Sequence, residues 1–194
     1  MFTDEHVRIV RSMTALAVRT QHTDLLDAAV TYLMHHPRAS LAEIAAAAGM
    51  GRTTLFKRYA TREELVHAVA MRAVDVCLDA ARSADAGAAD GGLRSLVTAL
   101  VPVGPQLNFL WRTPTLQVDA DFCAAYQRVD AAILEVLTRA RSAGTLAVGQ
   151  PDWWLRQTLV ALVYVAWECV ESGQLARLDA PDRVLDTMLT GVGA

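Results

Sequence analysis

Residues Leu41–Leu65 read LAEIAAAAGMGRTTLFKRYATREEL, and the fold turns on the change of character halfway along. As far as Ala48 the stretch is alanine-rich, and alanine loses least on entering a helix. Gly49 then interrupts it, a residue suited to the left-handed conformation just past a helix end. Directly behind that turn Arg52, Lys57, Arg58 and Arg62 fall within eleven residues that contain no acid. Ser40 with Glu43, and Thr61 with Glu64, have the spacing of capping boxes, in which a hydroxyl covers an orphan amide and the carboxylate reaches back. The pattern predicts a helix from Ser40 to Gly49, a short one from Gly51 or Arg52 to about Tyr59, and a long one from Thr61 to about Ala84.

Helical periodicity continues on both sides. Leu25, Leu26, Ala29, Val30 and Leu33 form a helix closed by Pro37, and Val7, Val10, Met13 and Leu16 form a shorter stripe before it. The small, polar run SADAGAADGG, Ser83–Gly92, reads as a linker. Apolar helical segments follow around Leu93–Val101, Pro105–Trp111, Asp121–Ser142, Asp152–Gly173 and Pro181–Leu189, separated by prolines and glycines. No stretch reads convincingly as a strand. The expected fold is all-α: an N-terminal three-helix unit with a helix-turn-helix, then a larger helical bundle. The expected division is 1–66 and 67–194, with residues 1–19 as an extra N-terminal helix or arm.

Composition narrows the function. The 194 residues are 53% apolar, enough to bury a core without staples. The net charge of −3 argues against a protein that coats nucleic acid everywhere, yet residues 1–65 carry 8 Lys/Arg against 7 Asp/Glu and the remainder 10 against 14. Positive charge is therefore local. Cys77, Cys123 and Cys169 are scattered, without the spacing of a disulfide framework or zinc site, and read as small buried hydrophobes. Leu159–Trp167, the longest apolar run, is far short of the ~20 residues of a membrane span. With Asp4 and Glu5 near the start in place of a signal-peptide pattern, a cytoplasmic protein is expected. Neither a nucleophile elbow, a P-loop, a dinucleotide fingerprint nor the paired ExxH of ferritin-like sites occurs, so no enzyme, cofactor or metal is expected.

A helix, a glycine turn and a second short helix with basic residues make a DNA-reading arrangement. The second helix meets base edges in the major groove, and cations neutralise phosphates. Leu41, Ile44, Ala45, Ala48, Leu55 and Tyr59 make an inward face, leaving Thr53, Thr54, Lys57 and Arg58 to point elsewhere. The alternatives are a solvated charged helix, a helical protein-interaction module, or a small-molecule binder without specific DNA binding.

The same residues resemble a known family. Gly49–Tyr59, followed by Thr61-Arg62-Glu63-Glu64-Leu65, is similar to the TetR family of bacterial transcriptional regulators, as are LLDAAVTYL (Leu25–Leu33) and SLAEIAAAAG (Ser40–Gly49). The resemblance covers roughly residues 20–70. It implies that Arg52, Thr53 and Lys57 face bases, with Thr54 on the same helix, and that Ser40, Arg58 and Arg62 meet the DNA backbone. Arg52 is the best placed to read sequence, since a guanidinium takes guanine O6 and N7 together. Phe56 departs from the family, where a tyrosine usually gives its hydroxyl to a phosphate. Arg62 stands in the first helical turn after Thr61, where the dipole disfavours a cation, so a phosphate partner is expected for it. Arg8, Arg11 and Arg19 leave open an N-terminal arm or extra helix that touches DNA outside the motif, and the acids Asp4 and Glu5 count against it.

The resemblance further implies a homodimer through the last two helices, double-stranded operator DNA as partner, and repression relieved by a small molecule. Trp153–Val170 is apolar nearly all round, which calls for burial against more than one neighbour. The middle segments gather Gln106, Asn108, Phe109, Trp111, Gln117, Phe122, Tyr126, Trp154, Tyr164 and Trp167. Aromatics with a few amides are the material of a small-molecule site. Phe109, Trp111, Phe122, Tyr126, Trp154, Tyr164 and Trp167 are the candidate ligand residues, and few charges among them favour a hydrophobic effector.

Overall fold

The computed structural model describes residues 25–113, 119–147 and 149–191, and every regular element among them is helical. The stripe at Val7–Leu16, Arg8, Arg11, Arg19 and Gln117 lie outside the described residues. Contacts divide the chain into two units, one ending at Arg72 and the other beginning at Ala73.

The first unit starts with α1 (residues 25–35), whose Leu25, Leu26, Ala29, Val30 and Leu33 are buried on one stripe. Next come α2 (Leu41–Ala47), α3 (Arg52–Arg58) and α4 (Arg62–Arg82), the last continuing into the second unit. Val30, Ile44, Leu55, Leu65 and Val69 are wholly withdrawn from water. Arg72 ties α4 to α1 by a fork on the Asp27 carboxylate, Nε to Oδ1 at 3.1 Å and a terminal nitrogen to Oδ2 at 3.0 Å.

The second unit adds α5 (Leu93–Leu100), a single 3-10 turn (Val101–Val103), α6 (Gly104–Arg112), α7 (Ala120–Ser142), α8 (Asp152–Glu171) and α9 (Ala180–Thr190). Pro102 and Pro105 stand in the first turns of their elements, where a missing amide costs nothing. Helix α8 is the hub, packing against α6, α7 and α9, while α5 rests on α7 and α9.

One expectation changes. The expected linker Ser83–Gly92 includes a packed corner. Asp90 accepts from the Gly92 and Arg94 amides (2.9 and 2.8 Å), and Ser95 Oγ accepts from the Asp85 amide (2.8 Å). Gly91 is buried at φ +69°, and a Cβ there would fall 2.5 Å from the Ala140 backbone nitrogen. Small residues were required for close approach, not for flexibility. Helix α8 buries Leu155, Leu159, Val160, Val163, Ala166 and Trp167 against its neighbours and leaves Trp153, Trp154 and Val165 exposed among the described residues. No described helix is long and apolar enough to cross a membrane.

Candidate nucleic-acid interface

The turn between α2 and α3 is built as its sequence dictates. Ser40 Oγ accepts from the Glu43 amide at 3.3 Å, and the Glu43 carboxylate accepts from the Ser40 amide at 2.8 Å and from its hydroxyl at 2.7 Å. These bonds to Ser40, the backbone one foremost, hold the Glu43 carboxyl below its ordinary range. At the other end Met50 N donates to Ala45 O (2.8 Å) and Gly49 N to Ala46 O (3.1 Å), with Gly49 at φ +65°. That is a Schellman close, which needs a residue without Cβ strain at Gly49.

Helix α3 is then a short rod lying on α2, anchored by one side chain. Of its seven residues only Leu55 is buried; Arg52, Thr53, Thr54, Phe56, Lys57 and Arg58 are all exposed. Tyr59, at its C-terminal cap, is buried as expected, and burial pushes its phenol up. Phe56 is 40% exposed and carries the Arg52 guanidinium over its ring, 5.2 Å from the centroid. Ser40 is also exposed, its hydroxyl engaged in the cap.

Arg62 stands apart from the exposed set. It is partly buried, its Nε donates to Ala39 O at 2.9 Å and a terminal nitrogen donates to Pro37 O at 2.6 Å. The cation that the α4 dipole disfavours has two carbonyl partners within the fold, a signal invisible in local sequence. The Thr61–Glu64 cap also differs in detail: Thr61 Oγ1 accepts from the Glu64 amide, but the Glu64 carboxylate accepts from the amide of Ala60.

In the second unit a cavity of about 340 Å³ is lined by Trp111, Phe122, Tyr126, Arg156 and Gln157, among others. It brings together three of the candidate ligand residues. Phe122 and Tyr126 stack with centroids 5.9 Å apart. Phe109, Trp154, Tyr164 and Trp167 do not line it. Phe109 and Trp167 are buried core, Trp154 stands half-exposed against Trp153, and Tyr164 lies beside Trp167, its hydroxyl donating to Glu168. Beneath the cavity Arg156 donates to Asp130 at 2.9 Å, and burial lifts the Asp130 carboxyl despite that partner. Gln157 Oε1 is buried with no hydrogen-bond donor among the described residues. Periodicity alone had not singled out Arg156 or Gln157.

A sequence description of bacterial regulatory proteins, tetR family, matches residues 25–69. Over 170 residues the chain is 34% identical to the HTH-type transcriptional repressor LfrR of Mycolicibacterium smegmatis, covering 87% of this chain and 88% of that one. The crystal structure of the TetR-like regulator LfrR from Mycobacterium smegmatis in complex with proflavine matches with a TM-score of 0.75 at 31% identity, over 92% of this chain and 99% of that one. The TetR family regulator PfmR from Thermus thermophilus matches with a TM-score of 0.64 over 88% of this chain and 99% of that one, at 14% identity, a likeness of fold alone.

Proposed function

Because the chain belongs to the tetR family of bacterial regulatory proteins and is a DNA-binding transcriptional regulator, we propose that it binds a near-palindromic operator as a homodimer, represses transcription there, and lets go when a small effector occupies its second unit. The observation that carries the reading is α3, whose only buried side chain is Leu55. Arg52, Thr53, Thr54 and Lys57 take the base edges, and Ser40 and Arg58 the phosphates. Phe56 serves as a platform for Arg52 rather than as a phosphate donor. Residues 1–66 act as the DNA-binding domain and 67–194 as the effector and dimerisation domain.

A dimer follows from the physics of recognition, since one short helix contacts too few base pairs for useful specificity. The exposed apolar side chains of α8 and α9, Trp153, Val165 and Leu189 among them, supply its interface. The effector is a flat aromatic molecule in the Trp111–Phe122–Tyr126 cavity, with a hydrogen-bond donor for Gln157. Its relative LfrR, solved with proflavine, supports trying that class first. For the effector to regulate, it must prefer one spacing of the two reading helices; equal affinity for both states would leave the operator occupied.

Selection of bound duplexes from a random-sequence pool tests the reading. A protected footprint of two half-sites spaced by about one or more helical turns is expected. Retention on heparin that vanishes at moderate salt, with no footprint on any selected duplex, would favour a protein-interaction module.

A further inference from the structure

We propose that Arg62 is a positioning residue that closes the helix-turn-helix into a ring, and that it is not a phosphate ligand. The chain between Pro37 and Arg62 contains the whole of α2, the turn and α3. The Arg62 guanidinium pins the two ends of that segment together, one nitrogen on Ala39 O at 2.9 Å and another on Pro37 O at 2.6 Å. Ala39 immediately precedes Ser40, the cap of α2, and Arg62 begins α4 shortly after α3 ends at Arg58. A fork across these ends fixes where α2 begins relative to where α3 stops.

The chemistry favours this assignment. Two carbonyl acceptors take Nε and a terminal nitrogen of one planar fork, a fixed geometry that lysine's rotatable ammonium does not present. Their dipoles also stabilise a cation placed at a helix N-terminus, which the helix dipole opposes. A guanidinium so held is partly buried and commits two of its five N–H donors to carbonyls of the protein itself. Released to meet a phosphate, it would leave the loop carbonyls of Pro37 and Ala39 to water and free the α2 cap to move.

The inference rests on the DNA-binding reading only for its consequence. Its direct test uses the wild-type protein: the Arg62 Nε–H resonance should exchange slowly in the free protein and change little when a random-sequence duplex of about two helical turns is added. Protection that arises only in the complex overturns the proposal. Arg62→Gln and Arg62→Lys provide the second arm, read at low temperature with helicity checked. Both should weaken binding to a selected operator about tenfold, while the slope of log affinity against log salt on the random duplex stays as in the wild type. A slope lowered by about one in Arg62→Gln and restored in Arg62→Lys marks a phosphate contact and sinks the idea. Operator affinity unchanged in both folded variants reduces Arg62 to a stabilising residue and also overturns it. Failure of the wild type to bind any duplex strikes the functional reading instead, leaving the Nε–H exchange to judge the clamp.

Discussion

The Arg52 guanidinium lies over the Phe56 ring with Cζ 5.2 Å from the centroid, one helical turn apart on the exposed side of α3. The pair explains how the helix tolerates phenylalanine at 40% exposure. The ring supports a flexible cation, an attraction of ~0.5–1 kcal/mol at an exposed site. Phenylalanine keeps the face that a tyrosine would also offer the arginine and lacks only the hydroxyl that a tyrosine would offer a phosphate.

Arg52→Ala should cost roughly 1–3 kcal/mol of operator binding and relax the preference at one base pair. Phe56→Leu should weaken binding less, and the double variant should lose less than the two singles added together. Strict additivity in that cycle, read by fluorescence anisotropy, would separate the two side chains. Affinity lost equally on operator and random DNA would make Arg52 a phosphate contact.

Acid should loosen the α2 cap. The bonds from Ser40 favour ionised Glu43, so its folded pKa lies below the ordinary 4.5. The stability they add is fully present above that value and is lost as the pH falls through the folded one. The melting temperature of Glu43→Ala should therefore lie below the wild type at neutral pH, with a gap that narrows under acid. A gap that stays constant from neutral pH down through the carboxylate range would mean that the carboxylate charge plays no part.

Gln157→Leu should stabilise the effector-free protein by ~1 kcal/mol, because a buried acceptor without a donor among the described residues is replaced by an apolar group of similar size. The same change should weaken an aromatic ligand bearing an N–H more than one lacking it. Thermal denaturation with and without each ligand distinguishes the two effects, and a destabilised free protein would show that Gln157 is already satisfied.

Gly91→Ala should destabilise by about 3 kcal/mol or more, since strain at φ +69° adds to a backbone contact of 2.5 Å. Gly87→Ala, whose Cβ would come no closer than 3.4 Å to the Asp85 carboxylate, is the control in the same corner. Equal urea midpoints for the two would show that the corner yields.

Most of the helix-turn-helix was legible because most of what makes it is local. Ser40 and Glu43, Gly49, and the spacing of Ile44 and Leu55 each act within a few residues, so their order in the chain is their order in space. Arg62 was not legible in this way, for its acceptors lie 23 and 25 residues back. Gly91 was misread as linker because close packing on α7 and free rotation call for the same residue. The aromatics of the second unit show a third limit. Helical spacing cannot tell buried Phe109 and Trp167 from exposed Trp111 and Trp154, since that depends on which neighbours arrive. Helix α8, apolar nearly all round, gave no phase by which to choose its covered side.

The central claim is that two copies of α3 read one site. Sedimentation of the wild-type protein with a selected operator and with a single half-site duplex of equal length tests it most directly. The account predicts one dimer on the full site and at least ~100-fold weaker binding to the half-site at the same salt, each good base contact carrying about 1–3 kcal/mol. A monomer bound equally well to both duplexes would contradict it.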